Sequence, residues 1–274
     1  MLRVTSLVRA THPIPTLAVT ALAAVLCLGF GVPWDTALVV VGAVLLNQAS
    51  VGISNDALDS ARDSESERWE KPIPAGHLSL RLAWSVAGTS AVSSLVLSFV
   101  VGPLVALWQG VFLAAGWGYN LGLKGTVWSG ACYAVGFGSL PVLVSYGAPS
   151  PQFPAWWVVA IAALLGLSAH FANVLPDLGT DRSQGVVGLP HRLGPRVVPL
   201  ALMLMTGFSG VILVIGAGPG GFLATIPAGA LALSLGVWAA VVSRKPDPGA
   251  LPFQLSMASA LVLAIGLAVS LSSV

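Results

Sequence analysis

Nine stretches of mainly apolar residues run along the chain, separated by short polar or Gly/Pro segments. They fall near residues 14–32, 36–54, 80–101, 103–121, 127–146, 154–174, 196–216, 221–242 and 251–272. A helix rises 1.5 Å per residue, so about 20 residues cross the roughly 30 Å of bilayer hydrocarbon. The pattern predicts an all-α membrane protein of nine transmembrane helices around a central cavity, with a single domain over 1–274. Gly136, Gly138 and Pro141 interrupt the fifth run, as membrane helices tolerate where they pack closely. Segments 147–153 and 216–221 read as tight turns, leaving the face they share featureless. The longest polar stretches, 55–79 and 176–195, share the opposite face. They are expected to form a helical extension and a cap over a cavity mouth.

Charge placement fixes the expected orientation. Only 8% of the 274 residues are charged, against about 25% in soluble domains, and the mean hydropathy is +0.89. All 12 Lys and Arg, from Arg3 and Arg9 through Lys124 to Arg244 and Lys245, fall on one side of a nine-span chain. The positive-inside rule then puts the N-terminus in the cytoplasm and the C-terminus outside. The net charge of +2 carries no indication of nucleic acid, and no such partner is expected. Arg3 and Arg9 ahead of a short apolar core also fit a signal peptide. Without a small-x-small cleavage site, the segment is read as a span. Cys27 and Cys132 lie in apolar runs and read as buried small hydrophobes.

Two polar segments repeat one pattern, Asn-x3-Asp-x3-Asp, each at the end of an apolar run. The first is Asn55, Asp59 and Asp63, with Asp56 beside it; the second is Asn173, Asp177 and Asp181. Residues four apart stack on one helix face, so each copy makes an acidic stripe. A solvated loop would explain the first copy alone, since Glu65, Glu67 and Glu70 continue its charge run. The second copy has few other acids nearby, which favours a shared role. Facing stripes repel unless cations lie between them, and Mg²⁺ suits oxygen ligands shared with substrate phosphates. Arg62, Lys71, Lys124 and Arg182 project from the same side and would complete an anion pocket. The expected site is a diphosphate clamped through Mg²⁺ at the cytoplasmic face, its apolar tail running between the helices.

These segments resemble the UbiA superfamily of intramembrane prenyltransferases. NDALDSARD, residues 55–63, matches the first family motif; KPIPAGHLS, residues 71–79, resembles its continuation. Tyr119 and Lys124 in YNLGLK resemble a Tyr-x4-Lys element. NVLPDLGTDRSQG, residues 173–185, matches the second motif, and HRLG at 191–194 resembles its Arg-Leu-Gly. Val187 and Gly188 depart from members that carry a basic residue and Thr there, and Arg9-x-x-His12-Pro13 is only loosely similar to the family's Arg-Pro start. The resemblance implies an allylic polyprenyl diphosphate donor and a hydrophobic acceptor that is aromatic, a quinone precursor or lipid-like. Asn55, Asp56, Asp59, Asp63, Asn173, Asp177 and Asp181 are the implied metal ligands. Asp59, Asp177 and Lys124 are the implied catalytic residues, and Lys124, Tyr119, Arg62, Arg182 and Lys71 the substrate contacts.

Two rival readings keep the same residues. A terpene cyclase would ionise the donor without an acceptor, and a cation-coupled transporter would bind ions at the carboxylates. Transport sites lie near the bilayer midplane, whereas these carboxylates gather at one face. His170 is read mainly as a structural hydrogen-bonding group, His77 and His191 as loop residues, and the Trp residues mainly as interface anchors, with Trp117 and Trp128 as lesser candidates for lining the chamber. The bias to Arg over Lys and the abundance of Ala, Gly and Val fit a GC-rich bacterial genome, which points to the cytoplasmic membrane.

Overall fold

The computed structural model describes residues 2–183, 185–245 and 247–272; the side chains at 2, 3, 177, 180, 181, 183 and 272 lie outside the description. Among the described residues the chain is all helical. A short α1 (Leu2–Ala10) leads into α2 (Pro13–Gly29), α3 (Trp34–Glu65), α4 (Leu80–Val101), α5 (Pro103–Asn120), α6 (Ser129–Ser145) and α7 (Trp156–Val174). Two short helices follow, α8 (Leu178–Ser183) and α9 (Leu189–Leu193), then α10 (Val197–Ala217), α11 (Phe222–Val242) and α12 (Leu251–Ser272).

Each of the nine apolar runs falls on a long helix, but they are not equally apolar. Six are long and apolar enough to cross a membrane: α3, α4, α7, α10, α11 with its preceding turn, and α12. A seventh arises if α1 and α2, bent by 67°, are taken as one broken span. Helix α6 is short at 17 residues. Helix α5 carries Gln109, Tyr119 and Asn120, side chains that dilute its hydropathy because they are used inside the bundle.

Sequential helices pack side by side, and α2 meets α12, so the first and last long helices close a ring. Polar side chains tie the inner faces together. Gln109 donates to the Ala43 carbonyl (3.2 Å), and Ser50 donates to the Ala87 carbonyl (2.8 Å) while accepting from the Trp117 indole (3.1 Å). Trp117 is thereby held between helices, against Trp84, and Trp128 is 65% exposed. Hydrocarbon offers no alternative partner for such groups, so they couple helices where hydrophobic burial alone does not.

The bend between α1 and α2 is the feature that shapes the site. His12 turns the chain with a left-handed backbone (φ 53°), a conformation uncommon outside glycine. Thr11 lies directly on Gly52 of α3: a Cβ at Gly52 would stand 2.5 Å from the Thr11 carbonyl oxygen. The elbow therefore rests on α3 only because residue 52 has no side chain. Gly52→Ala should displace it and destabilise the protein by about 1–3 kcal/mol, the usual cost of overpacking. Thermal unfolding in detergent should show a lowered midpoint; an unchanged midpoint would contradict the contact.

Candidate active site

Helix α3 has 32 residues and so spans about 48 Å, more than hydrocarbon requires. Its last three turns carry the first acidic motif. Helical rotation divides that motif between two faces. Asn55 and Asp59, four apart, line a cavity of about 400 Å³. Asp56 and Asp63, two turns apart, share another face and are each 2% exposed. Lys71 from the following loop lies between them, its Nζ 3.0 Å from Asp56 Oδ1 and 2.7 Å from Asp63 Oδ2. His12 Nε2 sits 3.0 Å from Asp56 Oδ1, and an Arg68 nitrogen 3.7 Å from Asp63 Oδ1. Burial works against the Lys71 ammonium, but Asp56 and Asp63 outweigh it and hold its pKa above the ordinary lysine value. The loop is fixed beneath by Leu78, which is 2% exposed, and by Ile73, both packed with Ala10, Ile53 and Ala83.

Asp59 is paired separately. Arg62, three residues on, approaches its Oδ2 at 2.9 Å. Lys124, on the turn Leu123–Gly125 after α5, donates to its Oδ1. Burial pulls the Lys124 pKa below the ordinary lysine value, with Asp59 opposing and the Arg62 and Lys71 cations adding to the fall. Two further cations, Arg68 and Lys71, line the same cavity. Four Lys and Arg side chains and one carboxylate, Asp59, thus line the cavity among the described residues. That is an excess suited to a polyanion.

Asn120 orients Asn55. Its amide nitrogen donates to the Val51 carbonyl (2.8 Å) and to Ser54 Oγ (3.0 Å), which fixes its own orientation. Its oxygen must then accept from Asn55 Nδ2 (3.1 Å). Asn55 Oδ1 is left as the atom able to meet a cation. This arrangement suits an Mg²⁺ ligand, because a hard cation takes carbonyl and carboxylate oxygens and not amide N–H.

The second motif reaches the same cavity through Asn173, which lines it. Asp177 ends the turn Leu175–Asp177 and Asp181 lies on α8; their side chains lie outside the described residues. Among the described residues no three His, Cys, Asp or Glu side chains converge as a metal cluster. Among the described residues of the two motifs, Asn55, Asp59 and Asn173 reach the cavity wall. Arg182 is turned from the cavity and donates to the His191 carbonyl (3.0 Å).

His191 departs from its expected loop position. It lies on α9, is 3% exposed, lines the cavity and accepts the Gly188 N–H at 3.1 Å. Gly188 explains the local departure from the family pattern. A Cβ there would stand 2.5 Å from the Lys124 carbonyl oxygen and 2.9 Å from Ser129 Oγ, so a larger residue would displace the Lys124 turn. His170 is fully buried, bonded to Ser129 Oγ at 3.0 Å, and does not line the cavity. Trp117 and Trp128 do not line it either.

The cavity wall also carries apolar and aromatic side chains, among them Val19, Phe112, Tyr133, Phe137, Phe253 and Met257. Tyr119 lines it as well, edge-on to Tyr133 at 5.2 Å. Sequence reading passed over His12, Arg68 and Asn120 as site residues. Arg68 follows the first motif by five residues and Asn120 adjoins Tyr119, whereas His12 lies 44 positions from Asp56; only the fold brings the three together.

The Asn120 arrangement yields a direct prediction. Asn120→Leu frees the Asn55 amide to rotate, and Mg²⁺ affinity should fall about 10–100-fold, as loss of a ligand's supporting hydrogen bond typically causes. Titrating Mn²⁺ by its magnetic resonance signal checks this; unchanged affinity would contradict the role of Asn120.

The fold has counterparts among solved structures. The chain overlays a UbiA homolog from Aeropyrum pernix K1 with a TM-score of 0.75 and 19% identity, covering 93% of this chain and 97% of that one. A UbiA homolog from Archaeoglobus fulgidus bound to GPP and Mg²⁺ gives 0.72 and 18%, covering 97% and 99%. A digeranylgeranylglyceryl phosphate synthase gives 0.69 and 14%, covering 100% and 99%. No curated protein matches the chain. The model of the UbiA prenyltransferase family matches residues 15–269, and the chain belongs to that family.

Proposed function

We propose that the protein is a Mg²⁺-dependent intramembrane prenyltransferase. It takes an allylic polyprenyl diphosphate and transfers the prenyl group to an aromatic, quinone-precursor or lipid-like acceptor. One observation carries the reading. A single cavity is lined both by oxygen donors with four cations and by apolar and aromatic side chains, the two chemistries of a prenyl diphosphate. The solved homolog bound to GPP and Mg²⁺ supports it.

Asn55, Asp59 and Asn173 would hold the metal from the wall, with Asp177 and Asp181 on the next turns, while Asp56 and Asp63 anchor Lys71 from behind. When bound, Mg²⁺ supplies charge neutralisation that makes diphosphate a better leaving group. The chain's own cations act on the same oxygens. Lys124, held by Asp59, and Arg62 are aimed where negative charge grows as the carbon–oxygen bond breaks. Tyr119 borders the rim and the apolar wall, where the allylic end of the donor would lie. The wall excludes water from the cation that departure leaves behind, so that an electron-rich acceptor captures it and then loses a proton. The sidedness of the Lys and Arg residues supports nine spans, a cytoplasmic N-terminus and a site open to the cytoplasm.

A terpene cyclase is the second reading, favoured by the aromatic wall of Phe112, Tyr119, Tyr133 and Phe137, since a cation held there without an acceptor would close on its own chain. The product separates the two: a conjugate or a cyclic hydrocarbon or alcohol. Purified protein incubated with labelled prenyl diphosphates from C10 upward and Mg²⁺ should release diphosphate, and chelation should stop it. Asp59→Asn and Asp177→Asn should each lower turnover by about 100-fold or more. Retained activity in either folded variant would contradict the two-motif site.

A further inference from the structure

A second cavity, of about 40 Å³, lies deeper in the bundle. Leu22, Leu140, Ile161, Leu213, Leu263 and Leu267 line it, drawn from α2, α6, α7, α10 and α12. Each is at most 6% exposed, and the space has almost no polar surface. Cavities of that character stay dry and take apolar guests. Among the described residues, Phe137 alone belongs to the walls of both cavities.

The seat of that ring is built. Phe137 stacks on Tyr133, with centroids 6.3 Å apart and planes inclined by 12°. Gly166 of α7 lies beneath it, where a Cβ would stand 2.6 Å from Phe137 Cβ and 2.8 Å from Cγ. A side chain at residue 166 would push the ring out of position. Pro141 follows four residues later and has no N–H for the Phe137 carbonyl, which loosens this turn of α6. The ring is therefore backed by one helix on a turn less rigid than its neighbours.

We propose that Phe137 is the floor of the donor site and sets the length of prenyl chain accepted. This inference rests on the first cavity being the prenyl diphosphate site. With the diphosphate at the Asp59 rim, the tail runs along Phe112 and Tyr133 towards Phe137. A short tail ends against the ring. A longer tail must displace it to reach the second cavity.

The experiment measures kcat/KM for donors from C10 to C25 in the wild type, in Phe137→Ala and in Phe137→Leu, alongside Kd for the matching unreactive thiodiphosphates. The wild type should show a break in both quantities at one chain length. Both variants should move the break to longer donors and raise the C20 to C10 ratio by about tenfold or more, the scale on which a hydrophobic pocket reads size. An unchanged ratio in a variant that still releases diphosphate from the C10 donor would overturn the floor. So would a smooth dependence on length in the wild type, a result needing no variant. Failure of the wild type to bind or ionise any donor would instead remove the reading of the first cavity.

Discussion

The structure depends on keeping three buried carboxylates of one helix apart from one another. Asp56, Asp59 and Asp63 are all less than 9% exposed at the end of a helix whose preceding turns are apolar. Unpaired charges there would cost several kcal/mol each. The chain meets this by division. Lys71 is shared by Asp56 and Asp63, and Arg62 and Lys124 take Asp59. The cations come from three places, so the pairing also locks the loop after α3 and the turn after α5 onto the end of α3. What neutralises the motif also assembles the pocket wall.

The same logic explains the first two helices. His12 meets Asp56, and Thr11 fits against bare Gly52, so the bend between α1 and α2 is fastened to α3 one turn from Asn55. Fold and chemistry share these contacts. Asn120 does similar work from the other side, since one side chain both ties α5 to α3 and decides which atom of Asn55 faces the cavity.

Much of this was legible in the sequence because it rests on period and charge. The nine apolar runs coincide with long helices, and the Asn-x3-Asp spacing placed Asn55 beside Asp59 on α3. The stripe was expected to continue through Asp63. At 3.6 residues per turn, however, eight residues drift by most of a quarter turn, and Asp63 aligns instead with Asp56. Nine spans were expected, but six helices, or seven with the bent α1–α2 pair, are long and apolar enough to cross a membrane: Gln109 and Asn120 make α5 more polar, and α6 is short at 17 residues. His191 and His12 gave no signal because their place is set by tertiary contact with Gly188 and Asp56. The two cavities meeting at Phe137 lay beyond sequence reading, since an aromatic residue in an apolar helix is ordinary packing until the space on both sides of it is known.

The account stands on both polar segments acting on one ligand. Anomalous diffraction from crystals grown with Mn²⁺ and a prenyl thiodiphosphate tests this most directly. The account predicts metal peaks bridging the diphosphate to Asn55 and Asp59 on one side and to Asn173 and Asp177 on the other. Metal bound to one segment alone, or a diphosphate lying away from Lys124, would contradict it.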